Sequence, residues 1–208
     1  LGRRIGLGCT GLSDALAMLG LRYDSPKALA MTEKIYSVLR DTAYASSIEL
    51  ASEKGAFLAY TPEKEVNNPF LSRLPENLQN KPRRNIALLT NAPNGSMAII
   101  MNNGSSGIEP CFKKEYLRNV KVPGTNDFRQ FQVYHQPIAD CIEAGGDPSV
   151  FVEANNVSGE MRIKLQATIQ KYIDHSISVT TNLPAGTTKE RVSELYLQAF
   201  KEGCKGFT

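Results

Sequence analysis

The amino-acid sequence predicts an α/β fold, because stretches typical of strands alternate with stretches typical of helices along its 208 residues. A long helical segment, 26–54, precedes the short apolar run RNIALLT at 84–90, which is typical of a buried strand. A helix, a strand-like run and another helix then follow over 158–203. Hydrophobic residues make up 41% of the chain, enough for one large core, so we expect a single domain over residues 1–208.

Two helices are predicted at the start of the chain. In TGLSDALAMLG, 10–20, apolar residues recur at the spacing of one helix face, and Gly20 is suited to end that helix. Ser25 is suited to cap the next helix and Pro26 to occupy its first turn, and the helical pattern continues to Gly55. The apolar residues that recur along this helix are Leu29, Ile35, Val38, Leu39, Ile48 and Leu50.

The middle of the chain is predicted to contain an irregular surface segment, followed by strands and turns. Residues 61–84 contain four prolines and little apolar periodicity, which indicates an irregular segment. After the predicted buried strand, NAPNGS at 91–96 predicts a turn and MAIIM at 97–101 a further strand. Residues 113–135 are predicted to be irregular or rich in strand, with a Pro-Gly turn inside them.

The last third of the chain is predicted to be mainly helical. A short helix is expected between Pro137 and Gly145, and a longer one over 158–176. The run SISVTTN that follows is predicted to be a strand. Thr187 and Glu190 have the Thr-x-x-Glu spacing of a capping box, which predicts a last helix that ends before a strand beginning at KGFT.

Composition and charge exclude several classes of protein. The 24 basic and 21 acidic side chains are mixed along the chain and leave a net charge of +3, which does not indicate a nucleic-acid polymer as partner. No apolar run approaches the roughly 18 to 20 residues of a membrane span, so we predict no membrane association and a cytoplasmic location. The four cysteines are far apart, which favours reduced thiols over a disulfide scaffold or a structural zinc site. Since Leu1 is not an initiator methionine, we expect a piece of a longer chain.

The stretch GLGCTG, 6–11, has the Gly-x-Gly-x-x-Gly spacing of dinucleotide-binding loops. Such a loop needs an apolar strand that leads into the first glycine and an acidic residue about 20 positions on, at the end of the next strand. Here LGRRI, with two arginines, precedes the first glycine, and one predicted helix leads into another. We therefore predict that these glycines allow close packing at a turn into a helix, and that they bind neither NAD nor FAD.

The stretch NAPNGS allows two interpretations. Its Asn-Gly pair is typical of an ordinary turn between two strands, and the local amino-acid sequence alone favours that interpretation. Successive backbone N–H groups, with the hydroxyl of Ser96, can also form a nest for an anionic phosphate. It is not a Walker loop, because no lysine follows the glycine.

No catalytic or metal-binding constellation is predicted from the remaining residues. Cys141 and Glu143 would point to different faces of the predicted helix, so they do not suggest a radical cysteine and its carboxylate. For His135 and His175, a solvated or hydrogen-bonded role is favoured over catalysis.

Five segments together resemble the C-terminal part of the large catalytic subunit of ribonucleotide reductases, over nearly the whole chain. They are RRIGLGCTGLSDALAMLGLRYDS, RNIALLTNAPNGS, SSGIEPCF, MRIKLQATIQKYIDHSISVTTNLP and AFKEGCKGFT, in that order. The sequences of these segments are most similar to those of the adenosylcobalamin (vitamin B12)-dependent class. The resemblance implies a ten-stranded α/β barrel made of two five-stranded halves, of which this chain forms the second half with its covering helices.

The same resemblance implies a site at the APNGS turn, which in the family binds the phosphates of the substrate through backbone amides and hydroxyls. The residues at the matching positions are Ala92, Asn94, Gly95, Ser96 and Met97. Asn94 replaces the usual threonine and Met97 the usual small β-branched residue or isoleucine. A side-chain hydroxyl is therefore lost, while the backbone nest is kept.

The resemblance further implies the reduction of ribonucleotides to 2′-deoxyribonucleotides, for DNA synthesis, through a thiyl radical. In the family the radical cysteine lies in an Asn-x-Cys-x-Glu motif. This sequence lacks that motif, so we expect the segment alone to be inactive. The implied partners are a ribonucleotide substrate, the N-terminal half of the barrel in the same or a separate chain, a thioredoxin-type reductant and, in some cases, a second copy as a homodimer.

Two alternatives remain open from the sequence. The iron-dependent, two-subunit class of the same enzyme shares this barrel but takes its radical from a partner protein. The chain is otherwise a non-catalytic nucleotide-binding or interaction module from a split gene, in which case it would bind nucleotide without the other half-barrel.

Overall fold

The computed structural model describes residues 1–102 and 104–208. Seven helices and one antiparallel hairpin of two strands make up the regular structure of this part of the chain. The helices are α1 (Leu12–Met18), α2 (Pro26–Lys54), α3 (Pro62–Glu65), α4 (Gly95–Ile100), α5 (Gln136–Glu143), α6 (Gly159–Gln170) and α7 (Lys189–Lys201), the strands are β1 (Glu115–Lys121) and β2 (Phe128–Tyr134), and short 3₁₀ turns lie at Leu71–Arg73, Glu76–Leu78, Pro148–Val150 and Ala154–Asn156.

The core is organised around a buried extended segment, 85–91, that pairs in parallel with the start of the chain. Leu7 donates its N–H to the carbonyl oxygen of Leu88 (2.8 Å), and Thr90 donates to the carbonyl oxygen of Leu7 (2.9 Å). Leu7 and Leu89 form a parallel bridge. The buried strand predicted here is extended and buried as expected, but its pairing consists of isolated bridges instead of a continuous ladder.

On its other side the same segment pairs with residues that follow α6. His175 donates its N–H to the carbonyl oxygen of Leu89 (3.0 Å), and Ser178 donates to that of Asn91 (2.9 Å). Asn91 and Ile177 form a second parallel bridge. Three chain segments that are far apart in sequence therefore run side by side in the same direction, as the α/β prediction requires.

The long helix α2 has the predicted bounds. Ser25 caps it by accepting the N–H of Ala28 on its side-chain oxygen (3.1 Å), and Pro26 is its first residue. Gly55 ends it with a φ of 76°, a backbone conformation that glycine adopts without strain.

The apolar residues that recur along α2 do not form its buried face. Val38 and Leu50 are exposed (59% and 38%), and Leu29, Ile35 and Leu39 are only partly buried. The side chains buried from this helix are Ala28, Thr32, Tyr36, Arg40, Tyr44, Ser47 and Ala51. Small and polar residues face inward because the neighbouring segments offer hydrogen-bond partners, which include Asn85 for the hydroxyl of Ser47 (2.9 Å).

The strand predicted at 97–101 is also wrong, since these residues belong to α4 and the residue after it. A short run of consecutive apolar residues does not distinguish a strand from a helix, and here Gly95 and Ser96 provide the first turn of a helix. Only Ala98 is buried on α4, whereas Ile100 is 76% exposed.

The predictions for residues 113–135 and for the two helices that follow them are accurate in type. The strand-rich stretch is the β1–β2 hairpin, with Gly124 at φ 80° in its turn, and α5 lies where the short helix was predicted. α6 ends earlier than predicted, because the side-chain N–H₂ of Gln170 donates to the carbonyls of Ile173 and His175 (both 3.0 Å) and holds the chain in a turn. The predicted strand after it pairs through an isolated bridge at Ile177.

The capping box predicted for α7 is wrong, because the cap lies one residue later and the residue three positions beyond it is Arg191. Thr188 is the cap, and its hydroxyl oxygen accepts the N–H of Arg191 (3.2 Å). The hydroxyl of Thr187 instead donates to the carbonyl of Pro184 (2.6 Å). Helix α7 then buries Leu195 and Ala199.

The glycines of GLGCTG pack against the segment 85–91. A Cβ atom on Gly8 would lie 2.3 Å from the carbonyl oxygen of Thr90, and one on Gly6 would lie 2.7 Å from the Thr90 side chain. Gly11 has a φ of 72° at the start of α1. This geometry agrees with the packing interpretation. In the described part of the chain, no helix combines the length and apolar character needed to cross a membrane.

We predict that Gly8→Ala destabilises the fold by about 2 kcal/mol, because the added methyl group would overlap a backbone carbonyl that the pairing holds in place. Gly206→Ala is the matched control, since no atom lies within 4 Å of the Cβ position there. Urea unfolding of both variants measures the difference. Equal midpoints for Gly8→Ala and the unmodified chain would contradict the packing role.

Candidate functional site

The turn implied by the resemblance lies where the buried segment 85–91 leaves the core and α4 begins. The first helical hydrogen bond of α4 runs from the N–H of Ala98 to the carbonyl oxygen of Asn94 (2.9 Å). The N–H groups of Gly95, Ser96 and Met97 precede that bond, and the described residues offer them no acceptor. All three residues are exposed, so these donors are open to a ligand.

Asn94 differs from its neighbours in the turn, because its side-chain oxygen and its main-chain N–H are hydrogen-bonded to other residues of the protein. Its side-chain oxygen accepts hydrogen bonds from the hydroxyls of Thr10 and Ser106 (3.1 Å each). Its own N–H donates to the hydroxyl oxygen of Ser106 (3.1 Å). Among the predicted site residues, Asn94 therefore anchors the turn and has no free main-chain donor, while Ala92 is exposed on the approach to it.

The anchor belongs to a larger packing of the turn against residues 104–107 and the start of α1. Gly11 donates its N–H to the carbonyl oxygen of Ser105 (3.0 Å), and Leu12 donates to that of Gly107 (3.2 Å). Gly107 has a φ of 56°, and a Cβ atom there would lie 3.3 Å from the carbonyl oxygen of Ala92. Glycine is therefore needed at 107 for the turn and this loop to approach each other.

A buried pair, Asp14 and His135, supports the same loop, and the sequence alone did not reveal it. One carboxylate oxygen of Asp14 lies 2.6 Å from Nε2 of His135, and the other accepts the N–H of Ser105 at 2.6 Å. Both side chains are buried. The hydrogen-bonded role predicted for His135 is thus confirmed, and the only local signal for Asp14 is an acidic residue among buried positions of α1.

Beneath the turn, Asn91 joins the buried segment to α2. Its side-chain oxygen accepts the hydroxyl proton of Tyr36 (2.8 Å), and Asn91 is 1% exposed. Burial raises the pKa of the Tyr36 phenol and of the nearby Cys9 thiol. Neither group is therefore activated as a nucleophile near neutral pH.

The residues set aside in the sequence do not form a site. Cys141 is buried, and its sulfur would meet a Cβ atom placed on Gly146 at 2.6 Å, whereas Glu143 is exposed on α5. Among residues 1–102 and 104–208, the four cysteines are free and no group of three or more potential metal ligands converges. His175 lies beside Asp174, with 4.0 Å between Nε2 and the carboxylate.

A cavity of about 360 Å³ opens beside the turn. Its lining includes Gly95, Ser96 and Ala98 of α4, Ser105 and Ser106 of the neighbouring loop, and Glu109, Lys113, Tyr116 and Arg118. The volume is in the range of small-molecule sites. The open N–H groups of α4 thus border a space that a ligand can enter.

Comparison with known proteins places the whole chain in one family. A family model described as the barrel domain of ribonucleotide reductase matches residues 2–208. The chain is 28% identical to a vitamin B12-dependent ribonucleoside-diphosphate reductase of Mycobacterium tuberculosis (strain CDC 1551 / Oshkosh), over 99% of this chain and 31% of that protein. It is 30% identical to a protein of the same name from Thermoplasma acidophilum, over 99% of this chain and 28% of that protein.

A relative with a different name also matches. The ribonucleoside-diphosphate reductase subunit alpha of Treponema pallidum is 25% identical, over 98% of this chain and 24% of that protein. The chain therefore spans between 24% and 31% of the length of these three relatives.

We predict that Asp14→Ala destabilises the fold by about 2 to 4 kcal/mol, because the buried His135 ring and the N–H of Ser105 both lose their partner. Asp127→Ala, in the exposed hairpin turn, is the matched control and is expected to change the free energy of unfolding by less than about 0.5 kcal/mol. Chemical unfolding of the two variants tests this. Similar midpoints would show that the pair does not hold the loop.

Proposed function

The chain belongs to the ribonucleotide reductase barrel-domain family, and we propose that it forms part of the catalytic chain of a ribonucleotide reductase. The proposed reaction is the reduction of a ribonucleotide to the 2′-deoxyribonucleotide for DNA synthesis in the cytoplasm, by a thiyl-radical mechanism. The names of the relatives, which are ribonucleoside-diphosphate reductases, support a diphosphate substrate. In this reaction the turn 92–97 binds the substrate phosphates.

The observation that carries this proposal is the set of open N–H groups at Gly95, Ser96 and Met97. These groups donate hydrogen bonds to phosphate oxygens, and the hydroxyl of Ser96 adds a further donor. Hydrogen bonds to an ionised acceptor are stronger than neutral ones. Because Asn94 is already held by Thr10 and Ser106, the turn has its binding shape before the ligand arrives, which lowers the entropic cost of binding.

The cysteines of this chain take no part in the proposed redox steps. Burial raises the thiol pKa of Cys111 to about 12 and that of Cys204 to about 11, so both remain protonated near neutral pH. Cys141 is buried and lies on α5, away from the turn. The radical cysteine and the reducing pair are assigned to the other half of the barrel, in the same or a separate chain, and the electrons to a thioredoxin-type reductant. The segment alone is expected to be inactive.

Adenosylcobalamin is the proposed cofactor, on the strength of the relatives named vitamin B12-dependent. Small-molecule sites are lined mostly by apolar side chains, whereas three cavities of the described residues, of about 480 and 530 Å³, each have charged side chains in their lining, so these three do not fit the cofactor. We therefore assign the cofactor to residues outside those described, and this chain contributes the substrate-phosphate turn and part of the barrel wall.

The exposed apolar side chains of α4 favour part of a larger enzyme over a free-standing nucleotide-binding module. Met97, Ile99 and Ile100 are 50%, 47% and 76% exposed, and they lie directly beside the turn. A contiguous exposed apolar surface next to a binding site is typical of a face that another part of the protein covers. A second copy in a homodimer or the other half of the barrel would cover it.

We predict that the longer protein that contains this chain reduces ribonucleoside diphosphates in the presence of a dithiol and adenosylcobalamin. Chromatographic detection of the deoxyribonucleotide measures the reaction. Activity that depends instead on a separate, iron-containing subunit would assign the protein to the two-subunit class. A full-length protein inactive under both conditions would contradict the enzymatic proposal.

We predict that Ser96→Ala weakens nucleotide binding by about 1 kcal/mol, because one hydrogen bond to a charged group is lost while the backbone donors remain. Ser193→Ala, on the exposed face of α7, is the matched control and is expected to leave the affinity unchanged. Equilibrium dialysis with a radiolabelled ribonucleoside diphosphate gives both dissociation constants. An unchanged constant for Ser96→Ala would remove this hydroxyl from the site.

A further inference from the structure

A second cavity lies at the other end of the buried segment 85–91 from the turn. Its volume is about 480 Å³, and Arg4, Ile86 and Ala87 are part of its lining. Ile86 and Ala87 lie near the start of the segment, whereas the turn follows its last residue. An extended chain rises about 16 Å from Ala87 to Ala92. The cavity is therefore separate from the turn.

Cationic side chains dominate the charge of this cavity. Arg4, Arg73, Arg83 and Lys205 line it, and Asp174 is the one carboxylate among the described residues of the lining. The carboxylate oxygens of Asp174 already accept a tyrosine hydroxyl and two main-chain N–H groups. Asp174 forms no ion pair with any of the four cations. The cavity therefore carries an excess of positive charge.

Two of the arginines keep their donors free. The guanidinium groups of Arg4 and Arg73 form no hydrogen bond or ion pair with the residues that the structure describes, and both side chains are exposed. Lys205 is held at the cavity, because its Nζ donates to the carbonyl oxygen of Asp174 (2.6 Å). A planar guanidinium group presents its N–H donors in a fork that matches the oxygens of an anion. The free groups are thus suited to bind one.

The buried arginine gives an independent indication of a ligand. The side chain of Arg83 is 5% exposed, and its terminal nitrogens donate to the carboxylate of Glu65 (2.6 Å) and to the carbonyl of Ile86 (3.1 Å). Its Nε has no acceptor within the part of the chain that the structure describes. A buried donor without an acceptor costs free energy, and most such groups in folded proteins are satisfied. An oxygen of an anion in the cavity would satisfy this one.

We propose that Arg4, Arg73, Arg83 and Lys205 form a binding site for a phosphate group, separate from the turn 92–97. Glu65 balances the charge of Arg83, and the other three cations have only Asp174 to oppose them. A phosphate dianion matches this excess better than a carboxylate does, since it carries more charge and more oxygens for guanidinium donors. The proposal goes beyond the function proposed above and does not depend on it.

The room in the cavity exceeds what a phosphate ion fills. Its volume of about 480 Å³ is in the range of sites for small organic molecules. Pro69, Phe70 and Ile86 add apolar side chains to the lining, and none of the three is fully buried. Both free phosphate and the phosphate of a small organic ester therefore meet the chemistry of the site, and the two sources are separated by experiment.

The test is isothermal titration calorimetry with inorganic phosphate on the full-length protein that contains the chain. Arg4→Ala and Arg73→Ala are each expected to weaken phosphate binding about tenfold, because a charge-assisted contact is lost. Cytidine diphosphate is titrated in parallel, and its affinity is expected to change by less than about twofold because these residues lie away from the turn. Both side chains are exposed and unpaired, so we expect the fold to be unaffected, and urea unfolding checks this.

Two exposed cations outside the cavity provide matched controls. Arg129 lies on the hairpin and Lys201 at the end of α7, and neither lines the cavity. Arg129→Ala and Lys201→Ala are expected to bind phosphate as the unmodified protein does. An equal loss in these variants and in Arg4→Ala and Arg73→Ala would indicate only the general positive charge of the protein, and it would overturn the site.

Phenyl phosphate identifies the source of the phosphate. If it binds at least about fivefold more tightly than inorganic phosphate, apolar contacts add to the affinity and the site is one for an organic ester. Equal affinities assign the site to free phosphate. In either case Arg73→Ala must weaken binding of both compounds.

The remaining outcomes separate this site from the turn. If inorganic phosphate and phenyl phosphate both fail to bind at millimolar concentration, or if Arg4→Ala and Arg73→Ala bind them as the unmodified protein does, the site is wrong, whatever the affinity for cytidine diphosphate. If the two variants lose affinity for cytidine diphosphate as strongly as for phosphate, the cations serve the nucleotide and a separate site is contradicted. Phosphate binding that depends on Arg4 and Arg73 in a protein that does not bind cytidine diphosphate would support this site and contradict the phosphate turn.

Discussion

The carboxylate of Asp174 is the interaction on which the central packing depends. One of its oxygens accepts the hydroxyl of Tyr44 and the N–H of Leu88 (2.7 Å each), and the other accepts the N–H of Leu89 (2.9 Å). A buried segment with unpaired N–H groups would be strongly unfavourable, and a buried carboxylate needs several donors. The carboxylate of Asp174 provides acceptors for the N–H groups of the segment, and these N–H groups provide the donors that the carboxylate needs. One side chain therefore fixes the segment 85–91 beside the chain that follows α6.

Helix α2 holds that segment at two points. Tyr44 contacts Asp174 at the level of Leu88, and Tyr36 contacts Asn91, where the segment leaves the core. The tyrosines are eight residues apart, which is about 12 Å along a helix, and Leu88 and Asn91 are about 10 Å apart along an extended chain. The helix therefore runs antiparallel to the segment with matching spacing. This match explains why the buried face of α2 carries hydroxyl groups, with aliphatic side chains only partly buried beside it.

The parts of the fold that could be predicted from sequence are those set by local chemistry. Ser25 with Pro26 fixes where α2 begins, and the Pro-Gly pair fixes the turn of the hairpin, because caps and turns depend on a few adjacent residues. The resemblance implied a phosphate-binding turn at 92–97, which stays a prediction. The run after it was predicted to be a strand and is part of α4, because a short apolar run does not distinguish a strand from a helix. The Asp14–His135 pair joins residues 121 positions apart, and no local pattern encodes such a contact.

The different roles of the side chains and the main chain in the turn explain why Asn94 and Met97 can replace the residues usual in the family. The side-chain oxygen of Asn94 is directed to Thr10 and Ser106, so the fold uses this position as an anchor and does not need a ligand-binding hydroxyl there. Met97 contributes a backbone N–H whatever its side chain, which is half exposed. A site built on main-chain donors tolerates such substitutions as long as the anchoring contacts persist. Residues 92–97 also carry no charged side chain, so main-chain N–H groups and the hydroxyl of Ser96 are the donors that the turn can offer to an anion.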